Sequence, residues 1–360
     1  MNDAPSPPAR VVSALRRRLL AWYGRHARDL PWRGSRDPYA IWVSEIMLQQ
    51  TRIDQGTPYF ERFMAAFPTV FDLAAAPEDR VLKLWEGLGY YARARNLHRA
   101  AKGIAGERAG RFPDTAAGWR KVPGVGRYTA GAIASIAFGE RAAVLDGNVI
   151  RVLTRLFDIR ACADDAATRR DLWGLAERLV PVKRPGDFNQ AMMELGACVC
   201  TPKAPQCAAC PARALCRAHA LGVEAERPVR RAKAAVPHQE AVAAAIRKNG
   251  RYLLGKRPGG GLLGGLWELP GGTVGPGESH AGALERILRD ELGMAVRVGG
   301  LVASIDHAYS HFTVTVHVYR CAHMGGTPSP KTHTELRWTL PGEFGRFAFP
   351  KANLKVLPLL

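Results

Sequence analysis

Apolar positions recur at helical spacing through the first two thirds of the chain and then give way to the alternation of strands. Val11, Leu15, Leu19 and Trp22 make one stripe of an Arg-studded N-terminal helix. Asp37 before Pro38 reads as an N-cap with proline at the first helical position. The helix it predicts, Tyr39 to about Thr51, is apolar on nearly every side: Ile41, Trp42, Val43, Ile46, Met47 and Leu48. Such a helix is buried. Glu45 stands in its middle, where a carboxylate is costly unless it is paired, hydrogen-bonded or used. A salt bridge to Arg33 is the structural alternative to a chemical role.

Helices are also predicted over Pro77 to Glu86 and Tyr91 to about Ala105. Between them, Gly87-Leu88-Gly89-Tyr90-Tyr91 sets two aromatic rings at a flexible turn beside Arg93, Arg95, His98, Arg99 and Lys102. Core packing is the default for such a pair, and stacking or wedging against bases is the rival reading. Asp114 to Val122 and Tyr128 to Gly139 then read as two helices flanking Val122-Pro123-Gly124-Val125-Gly126. Two glycines one residue apart allow a tight turn with positive φ and a backbone bare enough to touch a ligand. Free N–H groups beside a positive helix end seat a phosphate, although an ordinary helix–turn–helix loop has the same pattern. In Leu145-Asp146-Gly147-Asn148-Val149, Asp146 reads first as the cap of a helix over Val149 to Leu156. Helices continue to Cys198.

Periodicity is lost from Arg217 to Pro237, where Arg227, Arg230, Arg231 and Lys233 cluster. That is a linker, either merely solvated or lying along a phosphate backbone. Beyond it, Ala241 to Arg247 and Tyr252 to Lys256 flank Asn249-Gly250, a type I′ hairpin signal. Phe312 to Val318 alternates as a half-buried strand, and Ser279 to Leu292 reads as a helix closed by Gly293. The expected domains are 1–216, helical; 217–237, linker; and 238–360, α+β.

Charge narrows the partner. Lys and Arg number 51 against 32 Asp and Glu, a formal +19, which points to a polyanion, nucleic acid above all. No long apolar run suits a bilayer, and the proline-rich start lacks an apolar signal core, which argues against secretion. Seven cysteines in such a chain argue against a disulfide framework. Four of them, Cys200-x6-Cys207-x2-Cys210-x5-Cys216, form a metal signature that suits zinc or an iron–sulphur cluster equally. Cys162, Cys198 and Cys321 read as small buried hydrophobes.

Over roughly Val11 to Cys216 the hairpin, the Asp146 segment and the cysteine spacing resemble the helix–hairpin–helix DNA glycosylases of the endonuclease III superfamily. Leu30-Pro31-Trp32-Arg33, Glu45 to Thr51, Gly87 to Leu97 and Asn189 to Gly196 narrow the resemblance to adenine DNA glycosylases of the MutY type. The second domain is similar to their Nudix-like recognition domain, including Tyr309-Ser310-His311. The resemblance implies a multidomain fold, an all-α glycosylase with an iron–sulphur loop plus an α+β Nudix-like domain. It also implies a [4Fe–4S] cluster on Cys200, Cys207, Cys210 and Cys216. The implied reaction is hydrolysis of the N-glycosidic bond of adenine opposite 8-oxoguanine, or guanine, in double-stranded DNA. A monomer without membrane attachment is expected, cytoplasmic and at the nucleoid if bacterial.

Residue roles follow from the same resemblance. Glu45, its pKa raised by apolar neighbours, protonates adenine N7, while Asp146, nearer the solvated hairpin, stays ionised beside C1′. Tyr128 and Asn148 steady them. Trp32, Arg33 and Glu194 line the adenine pocket, and Gln50 and Tyr90 wedge into the stack. The amides of Gly124, Val125 and Gly126, with Lys203, hold phosphates, and Ser310 reads the 8-oxoguanine edge. Bifunctional relatives carry a Schiff-base lysine where this chain has Tyr128, so hydrolysis without strand cleavage is expected. Gly272 to Glu278, Arg286, Asp290, Glu291 and Gly293 keep parts of the active Nudix signature, but Ile287 replaces a metal-binding glutamate. The competing readings are an endonuclease III-like lyase on oxidised pyrimidines, an iron–sulphur redox or DNA-binding module, and a Nudix nucleotide hydrolase.

Overall fold

In the computed structural model, which describes residues 7–232, 235–309 and 311–360, the Asp37 carboxylate accepts from the backbone N–H groups of Tyr39 (3.0 Å) and Ala40 (3.3 Å). The helix so capped runs Pro38–Met47, shorter than its apolar run predicts. It stops because Leu48 turns and Gln50 adopts φ 59°, a left-handed conformation that ends a helix. This helix packs on Arg127–Ala137, and the N-terminal helix Ala9–His26 packs on Pro185–Glu194. Leu15, Leu19, Leu153, Leu172, Leu175 and Phe188 centre the shared core. Each such side chain contributes roughly 1.5–3 kcal/mol of burial.

The hairpin's first helix is one turn, Ala116–Trp119, started by Thr115 Oγ1 accepting from Gly118 N–H at 3.2 Å. Its second is Arg127–Ala137. Of the two glycines only Gly124 has positive φ (79°); Gly126 is extended at φ −87° and caps the second helix. A Cβ on Gly126 would meet nothing within 4 Å, so the protein's own packing does not require glycine there.

The basic linker is more structured than its composition suggests. A short helix Arg217–Leu221 ends on Gly222 with φ 68°, followed by a 3-10 turn Glu224–Glu226. Arg227, Arg230 and Arg231 pair with Asp158 (2.8 Å), Asp164 (2.6 Å) and Asp165 (2.6 Å). Each of the three has an acidic partner within the protein, and Lys233 lies outside the described residues.

The second unit is built on a seven-stranded mixed sheet: β1 His238–Lys248, β2 Arg251–Lys256, β3 Trp267–Glu268, β4 Gly271–Thr273, β5 Ala295–Ala308, β6 Thr313–Gly325 and β7 Glu335–Thr339. The order is β3-β2-β1-β6-β5, with β4 on β1 and β7 on β2; β1 and β6 run parallel. Asn249 (φ 49°) and Gly250 (φ 75°) form the expected type I′ turn. Val242, Ala244 and Ile246 of β1 face the helix His280–Leu292, while Ala243 and Ala245 face Trp267 and Phe349, the period-2 division of a sheet covered on both sides. Ser279 Oγ accepts from Gly282 N–H at 3.1 Å and Gly293 closes that helix at φ 67°.

By contacts the chain divides into two compact units. One joins the chain up to Ala74 with the stretch from Arg99 to the linker, and the other joins Ala75–His98 with everything after the linker. The Ala75–His98 stretch, read from sequence as part of the helical domain, therefore groups with the sheet.

Candidate active site

Five separate stretches of the first unit meet around a cavity of about 160 Å³. Glu45 comes from the Pro38–Met47 helix, Tyr128 from the start of Arg127–Ala137, and Asp146 and Asn148 from the start of Gly147–Leu156. Glu194, the last residue of Pro185–Glu194, enters opposite Trp32 and Arg33 of the Leu30–Arg33 turn. All seven line the cavity.

Burial pushes the Glu45 carboxyl up to about 7. The nearby Asp146 charge adds to the rise, and the Tyr128 hydroxyl opposes it by hydrogen bonding to the carboxylate. That hydroxyl also lies 3.1 Å from Met193 Sδ; an anionic oxygen is the stronger of the two acceptors for its one proton. The salt bridge to Arg33 does not form. Arg33 Nη2 instead lies 2.5 Å from Glu194 Oε2.

Asp146 corrects an expectation. It is the N-cap, accepting from Val149 N–H at 2.7 Å, and it also faces the cavity, so the structural and chemical readings hold together. It is half-buried rather than freely solvated, and burial raises its pKa above the usual carboxylate value. The Val149 and Asn148 hydrogen bonds and the positive charge of Arg151 restrain that rise. The Glu45 carboxyl, raised to about 7, holds its proton up to near neutral pH, while the rise at Asp146 is held back by its three partners.

Glu194 is 1% exposed and lies within 2.5 to 2.8 Å of two guanidiniums, Arg28 and Arg33. Burial alone would raise it; the hydrogen bonds and charges of both arginines hold it near 2, a permanent anion. Arg28 was not singled out by the sequence reading. The available signal was Glu194 itself, since a buried carboxylate demands cations and Arg28 precedes the Leu30–Arg33 motif. Arg151 and Arg155 were also missed, although their i,i+4 spacing puts them on one helix face. Arg151 donates to Asn148 Oδ1 (2.8 Å), Gly196 O (2.7 Å) and Cys200 O (2.7 Å). Here the Pro185–Glu194 helix passes into a π-helical turn, Leu195–Val199. A Cβ on Gly196 would sit 2.6 Å from Asn148 Cβ, so only glycine permits this approach.

Arg155, 2% exposed, reaches into the cysteine loop, donating to Thr201 O (2.7 Å), Pro202 O (3.0 Å) and Cys200 Sγ (3.3 Å). Cys200, Cys207, Cys210 and Cys216 line one small void, and none is in a disulfide. Burial pushes the Cys210 thiol up to about 11, and the other three sulphurs add to it. Four thiols so placed are poor company for one another as anions unless a cation group joins them, and the donor set fits tetrahedral sulphur ligation. Cys162 and Cys198, expected buried, are half-exposed; Cys321 is buried.

The remaining predicted residues lie outside the cavity lining. Gln50 is exposed with φ 59°, and Tyr90 of the second unit is 46% exposed with φ 49°. Left-handed backbone at two non-glycine residues is strain of the kind that functional turns carry. Lys203 is exposed in the cysteine loop, as are Gly124 and Gly126 in the hairpin, whereas Val125 is 7% exposed and offers only its backbone. Ser310 falls outside the described residues. Its neighbours Tyr309 and Phe312 line a cavity of about 510 Å³ in the second unit. Ile287 is 3% exposed in the apolar core.

Family models match the two parts separately: HhH-GPD superfamily base excision DNA repair protein over residues 43–178, and NUDIX domain over 241–359. The chain is 39% identical over 399 residues to the adenine DNA glycosylase of Rattus norvegicus, covering 96% of this chain and 77% of that protein. It is 38% identical over 402 residues to the adenine DNA glycosylase of Homo sapiens, covering 96% and 73%. A solved thermostable thymine-DNA glycosylase superposes with a TM-score of 0.54 at 30% identity, over 59% of this chain and 98% of that one.

Proposed function

The chain belongs to the adenine DNA glycosylases, monofunctional hydrolases of N-glycosyl bonds, and from that premise we propose that it removes adenine opposite 8-oxoguanine or guanine from duplex DNA. The observation that carries the chemistry is the pairing, on one cavity, of a carboxyl raised to about 7 with a second carboxyl restrained by three partners.

A base turned out of the stack, at a cost of roughly a few kcal/mol, enters the cavity. The protonated Glu45 carboxyl gives its proton to adenine N7, and the C1′–N9 bond breaks with its electron pair leaving on the purine. The Asp146 carboxylate faces the positive charge left on the sugar, the division of labour of glycoside hydrolysis. Glu45, now a base, takes a proton from the attacking water and is restored. Glu194 with Arg28 and Arg33 walls the base side as a fixed polar surface that does not titrate near neutral pH.

Hairpin amides at Gly124 to Gly126 and Lys203 seat phosphates, and Gln50 and Tyr90 fill the gap left by the base. Ser310, beside Tyr309, reads the opposite 8-oxoguanine. Cys200, Cys207, Cys210 and Cys216 hold a [4Fe–4S] cluster. Bound there, it ties the loop that carries Lys203 and leaves base removal to the carboxylates. Ile287 in the core speaks against nucleotide hydrolysis by the second domain.

The test is an end-labelled duplex with adenine opposite 8-oxoguanine, guanine or thymine, treated with protein and then with or without alkali. Breaks only after alkali, fastest opposite 8-oxoguanine, support the proposal. Cleavage without alkali, or equal action opposite thymine, rejects it.

A further inference from the structure

On the helix-covered face of the sheet, Glu240 of β1, His317 and Tyr319 of β6 and Ser304 of β5 stand side by side, because positions two apart on a strand share a face. His280, the first residue of the helix His280–Leu292, closes over them. Two hydrogen bonds fix the Nδ1 atoms of the two imidazoles. His280 Nδ1 is 2.8 Å from Tyr319 Oη, and His317 Nδ1 is 2.8 Å from Ser304 Oγ. The Nε2 atoms are left over. His280 Nε2 has only a long 3.4 Å contact to Glu240 Oε2, and His317 Nε2 is buried with no hydrogen-bond partner among the described residues. One atom from each of Glu240, His280 and His317 lies within 4.8 Å of the others.

A buried imidazole nitrogen with no partner is costly unless something occupies its lone pair. Hydrogen bonding of the other ring nitrogen to an oxygen is how metal-binding histidines are oriented and their tautomer fixed. Two imidazoles and one carboxylate are a zinc-class donor set, three ligands with a fourth position open.

We propose that Glu240, His280 and His317 bind a divalent transition ion of the zinc class, in a site separate from the four cysteines. The ion pins the start of the His280–Leu292 helix to the parallel β1–β6 pair. Binding draws the three donors together and swings the imidazoles out of their present stack, in which the ring centres are 4.3 Å apart. None of the three residues lines the 510 Å³ cavity of the second unit.

The test titrates Zn²⁺ into full-length protein with its cysteine loop loaded, against a chromophoric chelator, and records zinc X-ray absorption. Expected is one zinc per chain with a nitrogen and oxygen shell free of sulphur. Glu240→Gln, at an exposed position that leaves the core untouched, and His317→Ala weaken binding roughly 100-fold, and Ser304→Ala roughly 10-fold. His238→Ala, on the same sheet face but outside the triad, leaves it unchanged. Zinc also raises the thermal midpoint of the parent but not of Glu240→Gln. Equal zinc affinity in parent, Glu240→Gln and His317→Ala, a sulphur shell, or no bound zinc would overturn the site.

Discussion

Asn148 donates through Nδ2 to Asp146 Oδ2 at 2.9 Å, while its Oδ1 accepts from Arg151 at 2.8 Å. The amide is thereby locked at both ends. Arg151 also grips the Cys200 carbonyl at 2.7 Å, so one side chain ties the Asp146 cap to the cysteine loop. Asn148→Ala removes one of the hydrogen bonds that restrain Asp146. Its pKa rises, and the acid limb of the adenine-release profile moves to higher pH. Arg151→Met does the same and loosens the loop as well. Single-turnover rates between pH 4 and 8 would measure both; a limb that stays in place in both variants disproves the coupling.

Glu194 sits in the opposite electrostatic situation. Its folded pKa of about 2 lies below its unfolded value, so the stabilisation is present above the unfolded pKa and is lost as pH falls towards 2. Arg33→Met leaves a 1%-exposed carboxylate with Arg28 alone. We expect a loss of roughly 3–5 kcal/mol in urea unfolding at pH 7, shrinking at low pH. A loss under 1 kcal/mol, or one independent of pH, counts against a buried ion network.

Glu45 carries a stability cost of the reverse sign. Its folded pKa of about 7 exceeds the unfolded value, so the fold loses stability as pH rises from the unfolded pKa through 7. Glu45→Gln is therefore more stable than the parent at pH 8, by on the order of 3 kcal/mol, and the gain fades towards pH 4. Denaturant midpoints at the two pH values check this.

Gly196→Ala forces a methyl against Asn148, displacing either the π-helical turn or the Asp146 cap. Expected are a loss of roughly 1–3 kcal/mol and a fall in the rate of base release. An alanine variant with parental stability and rate would show the contact to be soft.

Much of this site was legible in the sequence because its residues break local rules. Glu45 is a charge on an all-apolar helix, and Asp146 follows an apolar run just before a glycine. Four cysteines fall within seventeen positions. Helix ends were less legible: Gln50 and Tyr90 impose left-handed turns that no periodicity announces. Arg28, Arg151 and Arg155 were missed because arginine in a basic chain looks solvated until its buried partner is known. The strands β5 and β7 were missed for a different reason. β5 is interrupted by register shifts around Val298 and Leu301 that blur the period of two, and β7 is only Glu335–Thr339.

The most direct measurement is the single-turnover rate of adenine release opposite 8-oxoguanine against pH, for the parent and Glu45→Gln. The account predicts a parental rate that falls as pH rises through about 7, where the Glu45 proton is lost. The variant should bind the duplex normally yet release adenine roughly 10²–10⁴ times more slowly, with that limb gone. A variant with the parental rate and the same limb would contradict the account.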